Sequence, residues 1–216
     1  MTHNIPDDIT NYFNVEFFTA IAQNLDEPVP AISKAVSAII PTALEALVDQ
    51  PAASGNFYQL AKEAAQYYSK APDVARLVNE EKGSNLHRDI FGNNERAVGR
   101  HIAAYSEVRP TTAFSLIMLV LPVMMGKIGE HINSENLSQG DFSGLISGLR
   151  PDVNRLTPAG YTTPDLSHEV TSSKEDLEKI HEANVGRNKT NFVFPKWVPI
   201  LIVAVVVLML IYFSRQ

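Results

Sequence analysis

The sequence predicts an all-α protein: a helical bundle of two duplicated halves, with proline-kinked central helices, and one C-terminal transmembrane helix. Three observations predict this fold class. Apolar residues in the body recur every three or four positions, the period of an amphipathic helix. No alternating β-branched run of useful length occurs before residue 190, so strands are not expected. Finally, the chain ends in a long uncharged apolar run.

That run covers residues 198–213 and is apolar throughout apart from Pro199. Together with the aromatic residues before it, the segment 192–216 reaches the length of about 20 residues that a membrane helix needs. A buried core helix or a re-entrant segment is the alternative. We predict a single-pass tail anchor, because aromatic residues at both ends are typical of interfacial anchors. Its principal residues are Trp197, Val198, Leu201, Val205, Leu208 and Tyr212.

Charge predicts that the body faces the cytoplasm, with the anchor in the inner membrane. The amino terminus is acidic and lacks the apolar stretch of a signal peptide. Residues 187–216 hold four basic groups and no acidic one, and three of the four precede the apolar run. Basic flanks stay on the cytoplasmic side. Residues 1–186 hold 14 basic and 24 acidic side chains, a net charge of −10, which argues against nucleic acid as a partner.

The body, residues 1–150, contains an internal repeat with halves at about 8–65 and 89–150. A shift of 81 residues aligns Pro41 with Pro122, and a shift of 85 then aligns SGNFYQL with QGDFSGL. Each copy is predicted to contain a helix, an apolar helix with an internal proline, and a Gly-polar-Phe turn that leads into another helix. Proline lacks the N–H of a helical hydrogen bond, so each central helix is expected to kink or restart there.

The second central helix, around FSLIMLVLPVMM, is apolar on nearly every side and is predicted to be the core helix of the bundle. An oligomer interface or a transient membrane contact are the alternatives. Residues 151–191 are rich in proline, threonine and aspartate and lack a sustained apolar period. They are predicted to be a linker with one short charged helix.

No motif for catalysis or metal binding stands out. The chain has no glycine-rich phosphate loop, no paired zinc histidines and no cysteine, so no cofactor or metal is predicted. The most suggestive polar residues are Arg96, Arg100 and His101. On a helix Arg96 and Arg100 share a face, which indicates a surface for an anion or a protein partner. The alternative is a solvated helix face between the two repeats.

The two Gly-polar-Phe turns and the segments PTALEAL and LPVMMGKIG resemble the YidB-like bacterial family, a domain of unknown function. The resemblance covers roughly residues 15–150. It implies a small all-α domain, sometimes joined to a membrane helix and to a peptidoglycan-binding OmpA-like domain beyond it. No such domain follows the apolar run here, which removes the cell-wall role from the expectation. The resemblance implies no catalytic residues.

Two functions fit these features. In the first, the chain is a membrane-tethered, non-catalytic interaction or scaffold module that binds a protein partner or itself. In the second, it is a lipid-binding or enzymatic helical domain with an apolar cavity lined by Met118, Met124 and Met125. We favour the first, because methionine is just as commonly a gap filler in a core. A Ser/His/Asp site whose members are distant in sequence stays open, although no Gly-x-Ser-x-Gly motif occurs.

Overall fold

The computed structural model describes residues 4–50, 54–68 and 85–166 of the 216-residue chain, and every regular element in these ranges is a helix. The predicted all-α class is therefore confirmed for the described part. The α-helices are α1 Ile5–Tyr12, α2 Val15–Leu25, α3 Val29–Val48, α4 Ser54–Tyr68, α5 Leu86–Phe91, α6 Glu95–Ser106, α7 Pro110–Ser134, α8 Gln139–Gly148 and α9 Arg150–Leu156, and a 3-10 turn, Gly92–Asn94, joins α5 to α6.

Helices α3 and α7 form the centre of the bundle because both are apolar over most of their circumference. They lie against each other and against α6. Helices α1 and α4 pack on α7, and α9 packs on α3. Each central helix has a proline in its first turn, where an N–H would have no intrahelical partner. The buried side chains form one continuous apolar cluster around this pair.

Pro41 and Pro122 lie inside α3 and α7, and neither proline ends its helix. The predicted restart is therefore wrong. Both prolines are buried, so each ring contributes packing at the place where it removes a helical hydrogen bond. The predicted bends at these prolines stay predictions.

Among the described residues, α3 and α7 are long and apolar enough to cross a membrane by length and composition alone, which weakly suggests membrane association. In the bundle, however, 72% and 78% of their most apolar windows are buried by protein. For α7 this supports the predicted role as a core helix. The predicted anchor at 192–216 lies outside the described residues.

The packed chain extends beyond residue 150, where the linker was predicted to begin. Val153 of α9 is 5% exposed, and Arg150 at the start of α9 pairs with Asp49 after α3 at 2.5 Å. Tyr161, further along, is 6% exposed. The predicted boundary is thus too early, because a segment without helical period can still dock through one or two well-placed side chains. Residues 167–191, with the predicted charged helix, lie outside the described part.

Candidate interaction surface

Residues 157–166, called the strap here, leave α9 and fold back over the bundle. The reversal is a tight turn in which the N–H of Tyr161 donates to the carbonyl of Pro158 at 3.0 Å. Gly160 occupies the third position of this turn with φ 78°, a backbone conformation that glycine adopts without a steric penalty. The turn brings the rest of the strap to the junction of α3 and α6, called the strap groove here.

Tyr161 anchors the strap in this groove. Its hydroxyl lies 2.7 Å from Oγ1 of Thr42, a fully buried residue of α3. Thr42 donates its one hydroxyl hydrogen to the carbonyl of Ala38 at 2.8 Å, so Tyr161 is the donor to Thr42. The Tyr161 ring also packs on two rings of α6: its centroid lies 4.7 Å from that of Tyr105 and 5.4 Å from that of His101. Burial raises the pKa of Tyr161 to about 12, so the phenol stays neutral.

Two side chains of the α6 region hold the backbone of the strap. Nε2 of His101 lies 2.7 Å from the carbonyl oxygen of Thr162, and Nδ2 of Asn94 donates to the carbonyl of Leu166 at 3.2 Å. Asn94 and His101 are seven residues apart, or about two helical turns, and therefore share one face. The strap meets them in the opposite order and so runs antiparallel to α6.

The predicted partner surface is divided by this arrangement. His101 is used by the chain's own strap, although its sequence position suggested a free surface residue. Arg96 and Arg100 are exposed and have no ion-pair or hydrogen-bond partner in the described part of the chain. Residues of an α-helix are about 100° apart, so these two arginines lie on the flank of α6 away from the strap. Of the three residues of the predicted partner surface, Arg96 and Arg100 therefore remain open to a partner.

A second polar feature lies between α1 and α7, a cleft of about 150 Å³ that is partly open to solvent. The ammonium of Lys127 pairs with Glu130 at 2.9 Å and lies 5.6 Å above the ring of Tyr12. Nδ1 of His131 is buried without a hydrogen-bond partner. No group of three metal-ligating side chains occurs among residues 4–50, 54–68 and 85–166. The residues that line the cleft are Asp8, Lys127, Glu130, His131 and Ser134.

A buried pair joins α5 to α6. Nε2 of His87 lies 2.9 Å from Oε2 of Glu95, and the two side chains are 7% and 17% exposed. The rings of His87 and Phe114 of α7 meet edge to face, and Nδ1 of His87 has no hydrogen-bond partner among the described residues. The pair is enclosed by the bundle, which makes it part of the packing at the α5–α6 junction and leaves it poorly placed to meet a substrate.

The methionines proposed to line an apolar cavity occupy two environments. Met124 and Met125 are fully buried in α7, whereas Met118 is 36% exposed on the same helix. The first two are therefore core residues, and Met118 lies at the surface. The three side chains do not share one enclosed site.

Sequence reasoning missed Tyr161 and Thr42, the two residues that define the strap groove. Tyr161 lies in a stretch that reads as linker, and Thr42 interrupts an apolar stripe by one hydroxyl. The available signal was a tyrosine directly after a glycine within a polar segment, since an aromatic side chain gains much from burial.

These features define an all-α domain built around two apolar central helices. A family model described as "Bacterial protein of unknown function (DUF937)" matches residues 7–131, more than half of the chain, so the chain belongs to this bacterial family. The predicted YidB-like resemblance is consistent with it. No curated protein and no solved structure matches the chain. Within the strap groove, α3 and α6 lie inside the matched range, whereas the strap lies beyond it.

Proposed function

We propose that the chain is a membrane-tethered, non-catalytic interaction or scaffold module whose helical body faces the cytoplasm. The observation that carries this proposal is the pair Arg96 and Arg100. Both are exposed and have no ion-pair partner within the described part of the chain, on a body with a net charge of −10 over residues 1–186. Arginine binds carboxylates in a bidentate manner, so two adjacent arginines favour an acidic protein surface as partner.

Other charged groups of the body support a docking role over catalysis. Glu27, for example, is 8% exposed and accepts hydrogen bonds from Arg109 and Thr112 at 2.8 Å, which fixes the start of α7. Arg155 of α9 pairs with Asp7 and Asp152 at 3.0 Å. The enclosed carboxylate of Glu27 is thus committed to the fold, whereas the exposed pairs of Arg155 add little stability, and among the residues that the structure describes neither group faces an enclosed pocket with a second reactive side chain.

The tether in this proposal is the apolar run 198–213. Its length, its aromatic ends and the basic residues before it support a helix with the body inside. A surface held near the bilayer meets membrane-associated partners at a raised effective concentration, which strengthens a weak interaction without new contacts.

We also propose that the body arose from two duplicated halves. The starts of α1 and α5, of α2 and α6, of α3 and α7, and of α4 and α8 lie 81, 80, 81 and 85 residues apart. Asp26 and Glu107, which end α2 and α6, are also 81 residues apart, and both have left-handed φ angles of 52° and 64°. Recurrence of an uncommon backbone conformation at the same spacing supports the repeat.

Topology can be measured with single cysteines, because the native chain has none. In spheroplasts, a membrane-impermeant maleimide is expected to label a Ser214→Cys variant. A Glu63→Cys variant is expected to react only after the inner membrane is broken, since Glu63 is an exposed residue of α4. The opposite labelling pattern would refute the orientation, and extraction of the protein by alkaline carbonate would refute the tether.

Partner binding can be tested by site-specific photo-crosslinking from Ala104, which is exposed on α6. We expect a discrete crosslinked product that disappears when Arg96→Glu and Arg100→Glu are combined. A Lys62→Glu variant on α4 is the charge control and should retain the product. A product that survives the double substitution would count against the arginines as the docking site.

A further inference from the structure

We propose that the strap groove is a docking site for an extended segment of a protein partner that carries an unmodified tyrosine with an acidic residue before it. The strap is the resident segment that this partner displaces. The proposal rests on the proposed function, because it states what the interaction module recognises.

The strap defines the chemistry that the groove accepts. The groove offers a hydroxyl acceptor at the bottom, Oγ1 of Thr42, and two aromatic walls, Tyr105 and His101. A phenol ring with a neutral hydroxyl contacts both walls and donates a hydrogen bond to Thr42. A phenylalanine ring contacts the walls but leaves the Thr42 acceptor without a donor. Two further polar groups, on His101 and Asn94, bind backbone carbonyls and therefore recognise an extended chain of any sequence. This is how an extended peptide is commonly recognised, by one side-chain pocket and by main-chain hydrogen bonds.

A phosphorylated tyrosine does not fit this groove. The space around the hydroxyl is buried, and the carboxylate of Glu45 on α3 acts on the same group by raising the pKa of Tyr161. A phosphate would place about two negative charges in that position. The groove is thus selective for the unmodified side chain.

Apart from Tyr161, the strap is attached at its C-terminal end, where Leu166 packs against the apolar cluster and the side chains of His101 and Asn94 bind backbone carbonyls. Ala159, Gly160 and Thr162, on either side of Tyr161, are exposed. Each such bond contributes about 1 kcal/mol net. The buried ring of Tyr161 is therefore the largest single attachment, and Leu166 adds a smaller, partly buried one. The residues that form the groove, by contrast, belong to α3, to α6 and to the turn before α6. The strap can therefore leave the groove while the bundle stays folded.

A partner segment can use a part of the surface that the strap cannot reach. The ammonium of Lys34 lies 4.7 Å above the ring of Tyr105, which in turn lies 4.7 Å from Tyr161. The strap turns away at Pro158 to return to α9, so its own chain does not continue past Tyr161 along α6. A separate segment has no such constraint and extends toward Lys34.

Lys34 is suited to an acidic partner residue. Its present ion pair is with Glu107 at 3.3 Å, where the side chains are 40% and 82% exposed. Ion pairs this exposed contribute little to stability, so exchanging Glu107 for a carboxylate of the partner is inexpensive. An acidic residue before the tyrosine would thus give the partner a contact that the strap lacks. Because this pair is also exposed, it adds modestly to affinity and serves mainly to select an acidic segment.

The test uses the full chain in mild detergent and a fluorescent peptide with the strap sequence TPAGYTTPDL. Wild-type protein should bind it weakly, because its own strap competes at high effective concentration. A Tyr161→Ala protein should bind it at least tenfold more tightly, and a Tyr161→Phe protein should give an intermediate gain. Circular dichroism reports whether each variant is folded. Equal affinities for the three folded proteins would overturn the proposal.

Three modified peptides test the partner's chemistry on the Tyr161→Ala protein. The peptide with alanine at the tyrosine and the peptide with phosphotyrosine should both fail to bind. The peptide with aspartate in place of Ala159 should bind about twofold to fivefold more tightly than the strap sequence. That gain should vanish in a Tyr161→Ala, Lys34→Gln protein. Tight binding of the phosphopeptide, or an unchanged gain without Lys34, would overturn the proposed specificity.

A second copy of the chain is the competing occupant, by exchange of straps between two molecules. Sedimentation of the wild-type protein distinguishes a strap exchange from a partner segment. A monomer across the peptide titration supports the partner segment. A concentration-dependent dimer that the Tyr161→Ala variant loses overturns the proposal. These outcomes are independent of membrane topology and of Arg96 and Arg100. A failure here therefore differs from a failure of the proposed function.

Discussion

Helices α3 and α7 follow the same plan but are enclosed by different means. Both are apolar, begin with a proline in the first turn and contain a buried internal proline. On α7, the neighbouring α4 approaches so closely that Gly126 and Gly129 have no room for a side chain: a Cβ at Gly126 would lie 2.8 Å from Cβ of Tyr68. On α3, the corresponding enclosure consists of α9 and the strap, held by the hydrogen bond between Thr42 and Tyr161.

One side of the bundle is thus closed by close backbone packing, and the other by the helix α9 together with the side-chain contacts of the strap. Close helix packing has no partial state, because the interior tolerates neither a gap nor an overlap. A strap attached by one tyrosine and a few hydrogen bonds can detach without unfolding a helix. The α4–α7 side is therefore the permanent part of the structure, and the α3 side is the adaptable part.

The largest effect is expected from Gly129→Ala on α7. The new Cβ would overlap the carbonyl oxygen of Ala61 on α4, and a backbone atom cannot move aside. We expect a loss of about 3 kcal/mol or more in the free energy of unfolding, measured by urea denaturation. Gly144→Ala on α8 is the matched control, because nothing lies within 4 Å of its Cβ position. It should be neutral or stabilise the fold by up to about 1 kcal/mol. Equal losses in both variants would contradict the close approach.

The contact at the start of α7 provides a prediction with pH dependence. Hydrogen bonds from Arg109 and Thr112 hold the pKa of Glu27 below its usual value of 4.5. A carboxyl with a lowered folded-state pKa stabilises the fold above its unfolded pKa, and this contribution disappears as the pH falls through the folded value. Glu27→Gln should lower the free energy of unfolding by about 1.5–3 kcal/mol at pH 7.

The same substitution should also reduce the slope of stability against pH below 4.5, since the titrating group is gone. Thermal unfolding between pH 3 and pH 7 measures both effects. Asp141→Asn is the comparison, because the Ser138 hydroxyl and N–H also lower the pKa of the Asp141 carboxyl, but at the exposed capping box of α8. An undiminished slope in the Glu27→Gln protein would argue against this contact as its source.

On the α3 side, Thr42→Val should remove the acceptor of the Tyr161 hydroxyl while it preserves the shape of the residue. A buried hydroxyl without a partner costs about 1–3 kcal/mol, and we expect about 1–2 kcal/mol here because the strap can move toward water. Hydrogen–deuterium exchange should show faster exchange at the N–H of Tyr161, which is protected by its bond to Pro158. Slower or unchanged exchange would indicate that the strap does not depend on Thr42.

The smallest effect is expected from the internal prolines. Pro122→Ala restores a helical hydrogen bond but removes buried ring atoms, and we expect a net destabilisation of about 1 kcal/mol. Pro41→Ala should give a similar value, because the two positions correspond in the proposed repeat. Chemical denaturation of the two variants measures the difference. A difference above about 2 kcal/mol would argue that the two sites are not equivalent.

The helical architecture could be read from periodicity because burial of an apolar stripe is a local property of the chain. The residues Ile32, Ala35, Val36, Ile39, Ala43, Leu44 and Leu47 recur at three and four positions, and all are at most 1% exposed in α3. The surface was harder to predict. Arg96 and Arg100 are indeed exposed, but His101 is not free, because its partner lies 61 residues away in the chain.

Local sequence patterns define the helices, the central position of the apolar segments and the apolar run at 198–213, since each depends on neighbours within a few turns. Other features arise only when distant segments pack together: both prolines stay inside continuous helices, α4 lies against glycines of α7, and Tyr161 binds Thr42 across 119 residues. These features depend on which surfaces meet, and a hydrogen bond or a close approach between distant segments leaves no periodic trace in the sequence.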